Sequence, residues 1–124
     1  MPLYNVACRV PLTQESRRAV AVAITETHCE QTGAPPAFVN VMFFDRYPLR
    51  AGLELDVVGG VRNDGNRTPE TIERLRLKLQ DAIANAAGLQ QSEVRVVLVG
   101  VPSSWVMEGG RIMPPPGSED EHGR

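Results

Sequence analysis

The sequence predicts an α/β (α+β) fold in which a tandem β-α-β repeat forms a four-stranded mixed sheet with two helices on one face. Two helical segments carry matching start and stop signals, Thr13 to Gly33 and Thr68 to Gly88, and each pair of signals is 20 residues apart. A shift of 55 residues carries the first segment onto the second. β-rich apolar runs flank both segments, and consecutive strand, helix and strand form a parallel unit.

The first unit begins with a predicted strand over residues 3–10, where apolar and polar residues alternate as far as Pro11. Thr13 then has the side chain of a helix N-cap. Apolar and small residues follow at helical spacing and give the helix a face to bury: Ala19, Val20, Ala23, Ile24 and Thr27. Gly33 ends the helix, and two prolines come soon after it. We expect the second strand over residues 38–44.

The second unit repeats this order. We expect a third strand over residues 53–61, closed by the glycines at 59–60 and followed by a turn at 63–65. Thr68 begins the second helix, with proline at its favoured first position. Its apolar stripe comprises Ile72, Leu75, Leu79, Ile83 and Ala86. We expect the fourth strand over residues 94–101.

Length and composition suit one packed domain. The chain has 124 residues, of which 42% are hydrophobic and 23% are charged, values that are typical of an ordinary soluble protein with a core. We assign residues 2–113 to a single domain. Residues 114–124 are rich in proline and then in acidic side chains, so we expect an extended or disordered C-terminal tail there.

Charge and cysteine content exclude several classes of protein. Thirteen basic and 15 acidic residues give a net charge of −2, which is too weak a field for nucleic acid or an anionic membrane surface. No segment reaches the roughly 18 apolar residues that span a bilayer, and the N-terminus lacks the pattern of a secretory signal. Cys8 and Cys29 are too few for a disulfide framework, so we expect a cytoplasmic protein. No metal-ligand spacing, phosphate loop or nucleotide fingerprint occurs, and we expect neither metal nor cofactor.

One face of the predicted sheet has no helical cover. Because both helices pack on the same side, the other side would expose apolar strand residues to water. We expect Phe38, Val39, Val41, Phe43 and the last strand to supply this surface. Copies of the chain would cover it, and we expect a homotrimer.

Pro2 has distinctive chemistry at the start of the chain. Its small side chain permits removal of Met1, which would leave a secondary amine as the N-terminus. An α-amine titrates near ~8 in peptides, and burial beside cations lowers this pKa. Such an amine is a general base when neutral and a general acid when protonated.

Four further residues are candidates, each with an alternative interpretation. His28 lies near the end of the first helix on its apolar side, where the residues alone indicate a partly buried histidine that stabilises the helix C-terminus. Arg62 and Arg67 flank the glycine turn, where two guanidinium groups can hold a carboxylate, although arginines in polar turns are usually solvated. Glu108, in a glycine-rich segment, could orient water or a proton, or it could pair with Arg111.

Several stretches of the sequence match a known pattern together: residues 1–4, 19–28, 60–67, 107–111 and 114–117. Through them the chain resembles the tautomerase superfamily, small β-α-β-α-β proteins whose catalytic residue is an amino-terminal proline. Within that superfamily the likeness is to cis-3-chloroacrylic acid dehalogenase and its homologues. The resemblance implies that Pro2 is the catalytic proline, His28 binds substrate and Glu108 activates water.

The resemblance also assigns carboxylate binding to arginines. Arg67 matches one of them, whereas an extra residue in the turn lets either Arg62 or Asn63 take the place of the other. Val97 stands where the dehalogenase has a tyrosine, and the longer C-terminal tail of the dehalogenase is missing. The implied function is a cofactor-free tautomerase of small enol or 2-oxo acids. The alternatives are a cis-3-haloacrylate dehalogenase or hydratase and a non-enzymatic interaction module of the same fold.

Overall fold

A computed structural model describes residues 2–117 and contains two long helices, a four-stranded sheet and a short hairpin. The helices are α1 (Gln14–Thr32) and α2 (Pro69–Ala87). The strands of the main sheet are β1 (Leu3–Cys8), β2 (Asn40–Phe44), β3 (Leu55–Arg62) and β4 (Val94–Val101), and those of the hairpin are β5 (Met107–Glu108) and β6 (Arg111–Ile112).

The main sheet is mixed, with strand order β2-β1-β3-β4. β1 pairs in parallel with β2, and β3 pairs in parallel with β4. The two parallel pairs meet where β1 runs antiparallel to β3. The predicted fold class, two β-α-β units forming one mixed sheet, is confirmed.

The 55-residue repeat also relates the first and last residues of the two helices. α1 and α2 have 19 residues each, and adding 55 to Gln14 and Thr32 gives Pro69 and Ala87. The same shift carries the 3-10 turn at residues 36–38 onto the turn at residues 91–93. In both units the helix is therefore connected to the following strand through a 3-10 turn at the equivalent position.

The helix caps explain why both helices begin and end at these residues. The Thr13 hydroxyl accepts a hydrogen bond from the backbone N–H three residues along, and Thr68 forms a capping box with Thr71. Gly33 and Gly88 close the helices with φ of 77° and 70°. This left-handed conformation is unstrained for glycine and costly for other residues.

Three strands differ in their bounds from the predicted ones, and β3 differs at both ends because it begins at Leu55. β1 ends at Cys8, and β2 begins only at Asn40 because residues 36–38 form a 3-10 turn. β3 continues to Arg62, so Gly59 and Gly60 lie inside this strand and do not close it. β4 has the predicted bounds.

The core lies between the helices and one face of the sheet. Alternate strand residues point into it, as the period of two requires. Its fully buried side chains include Tyr4, Val6, Val20, Ile24, Leu55, Val57, Leu75, Leu79, Ile83 and Val94.

The other face of the sheet is uncovered in one chain, but the prediction of its β2 residues was wrong. Val39, Val41 and Phe43 pack against the core on the helical side, and Phe38 lies in the 3-10 turn before β2, outside the sheet. The uncovered side chains are the alternate ones, each at least 36% exposed: Leu3, Met42, Phe44, Val58, Val97 and Val99. A shift of one residue along a strand moves every side chain to the opposite face, and we call this set the open face.

The chain is packed beyond the predicted domain boundary at residue 113. Arg62 Nη1 donates a hydrogen bond to the Pro114 carbonyl at 2.6 Å. A Cβ on Gly65 would lie 2.6 Å from the Pro116 carbonyl oxygen, so the segment touches the turn after β3. The rest of the predicted tail, residues 118–124, lies outside the described residues, as does Met1. Within residues 2–117, neither helix has the length and apolar character to cross a bilayer.

Candidate active site

A small cavity opens where the start of β1, the C-terminal part of α1 and the end of β3 come together. Its volume is about 240 Å³, including space open to solvent. It is lined by Pro2, His28, Ala34, Val61, Arg62 and Arg67. Four of the five sequence-predicted site residues therefore meet in one place, although they lie as far apart as 65 positions along the chain.

Pro2 is buried at the edge of this cavity. Its carbonyl accepts a hydrogen bond from the Asn40 N–H at 3.1 Å, which continues the parallel pairing of β1 with β2 beyond the first residue of the strand. The sheet therefore fixes the position of the Pro2 ring at the cavity.

His28 lies near the C-terminal end of α1 and is only 1% exposed. Its Nδ1 lies 2.7 Å from the Tyr4 hydroxyl. Burial lowers the His28 pKa to about 3, and the charges of Arg67 and Arg62 add to this effect. His28 is therefore neutral at physiological pH. A histidine stabilises a helix C-terminus by its charge only when it is protonated. This role therefore does not explain the presence of His28.

Arg62 and Arg67 supply positive charge on one side of the cavity. Arg62 is the last residue of β3 and is 5% exposed, unlike a solvated turn arginine. Arg67 directly precedes the N-cap of α2, and its Nη1 donates to the Asn66 side chain at 3.0 Å. Asn63 is exposed and does not line the cavity. Of the two residues that the sequence left open, Arg62 is the one at the cavity.

Glu108 is the candidate residue that does not line this cavity. It is half-buried in β5 and lies opposite Arg111 in the β5–β6 hairpin. Gly109 and Gly110, with φ of 59° and 79°, form the turn between these strands. Each strand of this hairpin has only two residues, too few to show alternation in the sequence.

Solved structures with similar folds identify the superfamily. A protein named N1, described as a member of the cis-3-chloroacrylic acid dehalogenase family, is 28% identical with a TM-score of 0.85, and the match covers 97% of this chain and 89% of that one. The chain belongs to the tautomerase superfamily. No family model matches the sequence, and no curated protein matches it.

More distant tautomerase structures share the fold alone. A fused 4-OT described as an asymmetric trimer is 18% identical, with a TM-score of 0.76 and coverage of 98% of this chain and 99% of its own. Leishmania major MIF2 is 20% identical, with a TM-score of 0.72 and coverage of 90% and 96%.

In this tautomerase superfamily protein, two residues that were not candidates from the sequence also support the cavity. They are Asp64 and Tyr4. Asp64, interpreted only as a turn residue, accepts hydrogen bonds from Ser103 N at 3.1 Å and Ser103 Oγ at 2.6 Å. The Ser103 hydroxyl bond lowers the Asp64 pKa. Asp64 thereby ties the arginine-bearing turn to the segment after β4. The second residue is Tyr4, and only its place in an alternating strand could have indicated that it points inward.

Proposed function

We propose that this protein is a cofactor-independent tautomerase of small enol and 2-oxo acids, in which the amine of Pro2 is the general acid and base. The observation that carries the proposal is that Pro2, His28, Arg62 and Arg67 line one cavity. Two guanidinium groups suit a carboxylate.

Substrate binding is assigned to the arginines. Arg62 and Arg67 would hold the carboxylate through charge-assisted hydrogen bonds and fix the enol carbon near Pro2. Burial makes such bonds stronger than they are in water, because the local dielectric constant is low. Neutral His28 would donate a hydrogen bond to the enolate oxygen as negative charge develops there.

Proton transfer is assigned to Pro2. With Met1 removed, its secondary amine lies beside two cations in a buried position, and both factors favour the neutral form. The neutral amine takes the proton of the enol hydroxyl, and the resulting ammonium gives a proton to the carbon two bonds away as the C=O bond forms. Since the His28 pKa is about 3, the imidazole does not carry this proton at neutral pH.

The open face supports a homotrimer. It consists of apolar side chains from all four strands of the main sheet, and a single chain leaves them exposed. Solved structures of the same fold include trimers. Copies of the chain are the proposed cover of the open face.

Domain limits and location stay predictions. We propose that residues 2–113 form a single domain, against which residues 114–117 also pack. Cys8 and Cys29 are both free thiols, which accords with the proposed cytoplasmic location.

A second candidate function is dehalogenation or hydration of cis-3-haloacrylates. The similarity to N1 favours it, with Glu108 activating water while protonated Pro2 delivers a proton to carbon. Two features weigh against it. Glu108 does not line the cavity, and Val97, on the open face opposite Val58, supplies no hydroxyl where the resemblance implies tyrosine.

The experiment compares two reactions in one preparation: ketonisation of phenylenolpyruvate and chloride release from cis-3-chloroacrylate. We expect ketonisation to have the higher kcat/KM. Arg62→Gln and Arg67→Gln should raise KM for phenylenolpyruvate about tenfold or more, whereas the exposed Arg18→Gln, on the first turns of α1, is the charge-matched control and should not. Faster chloride release would favour the second candidate. The absence of both reactions would favour the non-enzymatic interaction module.

A further inference from the structure

The hydroxyl of Tyr4 makes a buried contact that the proposed mechanism does not use. It lies 2.7 Å from His28 Nδ1, and the two side chains are 0% and 1% exposed. The rings meet edge to face, with centroids 5.7 Å apart and an interplanar angle of 75°. Since the two residues are 24 positions apart, the contact joins β1 to the C-terminal part of α1.

The direction of this hydrogen bond follows from the acidity and basicity of the two groups. Burial raises the Tyr4 pKa, so the phenol keeps its proton. A phenol is a strong donor and a weak acceptor, whereas an unprotonated imidazole nitrogen is a strong acceptor. Tyr4 therefore donates to Nδ1 of neutral His28, and this nitrogen has no hydrogen of its own.

The other ring nitrogen then carries the hydrogen. A neutral imidazole has one N–H, so an accepting Nδ1 leaves the proton on Nε2. Nε2 is buried and has no hydrogen-bond partner among residues 2–117. Buried donors in folded proteins are almost always paired. Because His28 borders the cavity, a ligand oxygen is the partner that this donor lacks.

Gly59 makes the position of the Tyr4 ring possible. The two residues are directly opposite in the antiparallel pairing of β1 with β3. A Cβ on Gly59 would lie 2.6 Å from Cδ1 of the Tyr4 ring and 3.1 Å from Leu98. Any side chain here would displace the ring, which explains a glycine inside a strand.

We propose that Tyr4 and Gly59 are positioning residues: Gly59 makes room for the Tyr4 ring, and the Tyr4 hydroxyl holds His28 as the Nε2–H tautomer, ready to donate to an anionic substrate oxygen. The identity of that oxygen, a carboxylate or enolate of the substrate, rests on the proposed function. The assignment of the His28 proton to Nε2 does not rest on the proposed function.

Nitrogen NMR of the histidine ring tests the tautomer without any substrate. The chain has two histidines, so the His122→Asn background leaves only the His28 signals. We expect the long-range ¹⁵N spectrum at neutral pH to show a protonated Nε2 and an unprotonated Nδ1. A protonated Nδ1 would overturn the proposal.

Variants then test the cause of the tautomer. Tyr4→Phe removes the donor and Gly59→Ala moves the ring, and both should give signals of mixed tautomers. Tyr47→Phe is the matched control, since Tyr47 is the only other tyrosine and is 52% exposed. An unchanged tautomer in folded Tyr4→Phe would contradict the proposal. If Tyr4→Phe does not fold, Gly59→Ala and the wild-type spectrum still decide it.

Kinetics separate this proposal from the proposed function. Tyr4→Phe and Gly59→Ala should lower kcat for phenylenolpyruvate by about 10- to 100-fold, the range found for side chains that orient metal-binding histidines, with a smaller effect on KM. Tyr47→Phe should leave both constants unchanged. If the tautomer is as proposed but wild-type protein does not ketonise phenylenolpyruvate, the proposed function fails and the positioning role stands. An unchanged kcat in an active enzyme with mixed tautomers would refute the positioning role.

Discussion

Acidification should destabilise the native protein through His28, and His28→Asn should remove this effect. The native side chain is neutral because it is buried against the Tyr4 hydroxyl and near Arg67 and Arg62, which lower its pKa to about 3. In the unfolded chain the pKa of histidine is about 6.5. Between these values the unfolded state binds one more proton than the native state. Stability contributed by neutral His28 is therefore complete above about pH 6.5 and falls as the pH drops toward 3.

The magnitude follows from the two pKa values. At about pH 5 the unfolded imidazole lies about 1.5 pH units below its pKa while the native one is still neutral, which costs about 2 kcal/mol of unfolding free energy relative to pH 7. Carboxylates titrate in this range as well, but they are the same in wild type and variant, so their contribution cancels in the comparison. Asparagine keeps a polar group near the position of Nδ1 and does not titrate.

The assay is urea unfolding at about pH 7 and about pH 5 in the His122→Asn background, so that His28 is the only histidine. Wild-type His28 should lose about 2 kcal/mol more than His28→Asn between the two pH values. Equal losses in the two proteins would show that His28 is not neutral and buried in the native state, and would refute the reasoning.

Three further predictions concern other residues. Glu108→Gln should reduce any chloride release from cis-3-chloroacrylate by about 10²-fold or more and leave kcat/KM for phenylenolpyruvate unchanged; parallel losses would place Glu108 in tautomerisation. Asp64→Asn should lower the free energy of unfolding by about 1 to 2 kcal/mol because it weakens the bonds from Ser103, as urea unfolding would measure, and an unchanged midpoint would contradict this. Val58→Lys puts a charge on the open face and should yield monomer in sedimentation equilibrium where wild type is a trimer, whereas Val22→Lys on exposed α1 should not; a trimeric Val58→Lys would locate the interface elsewhere.

The helices could be predicted from sequence because their signals are local. Each helix has a threonine N-cap and ends at a glycine, Gly33 or Gly88, in the left-handed conformation. These signals act within one turn of the helix, so the helix ends could be predicted without any tertiary contact. The shift of 55 residues then fixed the order of the elements. The topology then follows from the chirality and connection rules of β-α-β units alone.

The facing of β2 could not be predicted. Residues 41–44 are all apolar, so the run has no alternation to tell one face from the other. Gly59 also misled the prediction, because glycine usually weakens a strand, and the reason for it is the Tyr4 ring on a neighbouring strand. Sequence identified the residues of the candidate site through their joint resemblance to a family. Their burial, the Tyr4 contact and the choice of Arg62 over Asn63 depend on packing between distant segments.

The amine of Pro2 is the central claim, and one comparison tests it most directly. Intact mass identifies protein that begins at Pro2 and protein that retains Met1, and kcat/KM for phenylenolpyruvate is measured for each. The account predicts that the form beginning at Pro2 is faster by about 10²-fold or more, the usual contribution of a general acid or base, because retention of Met1 converts the amine to an amide that carries no proton. Equal kcat/KM values in the two forms would contradict it.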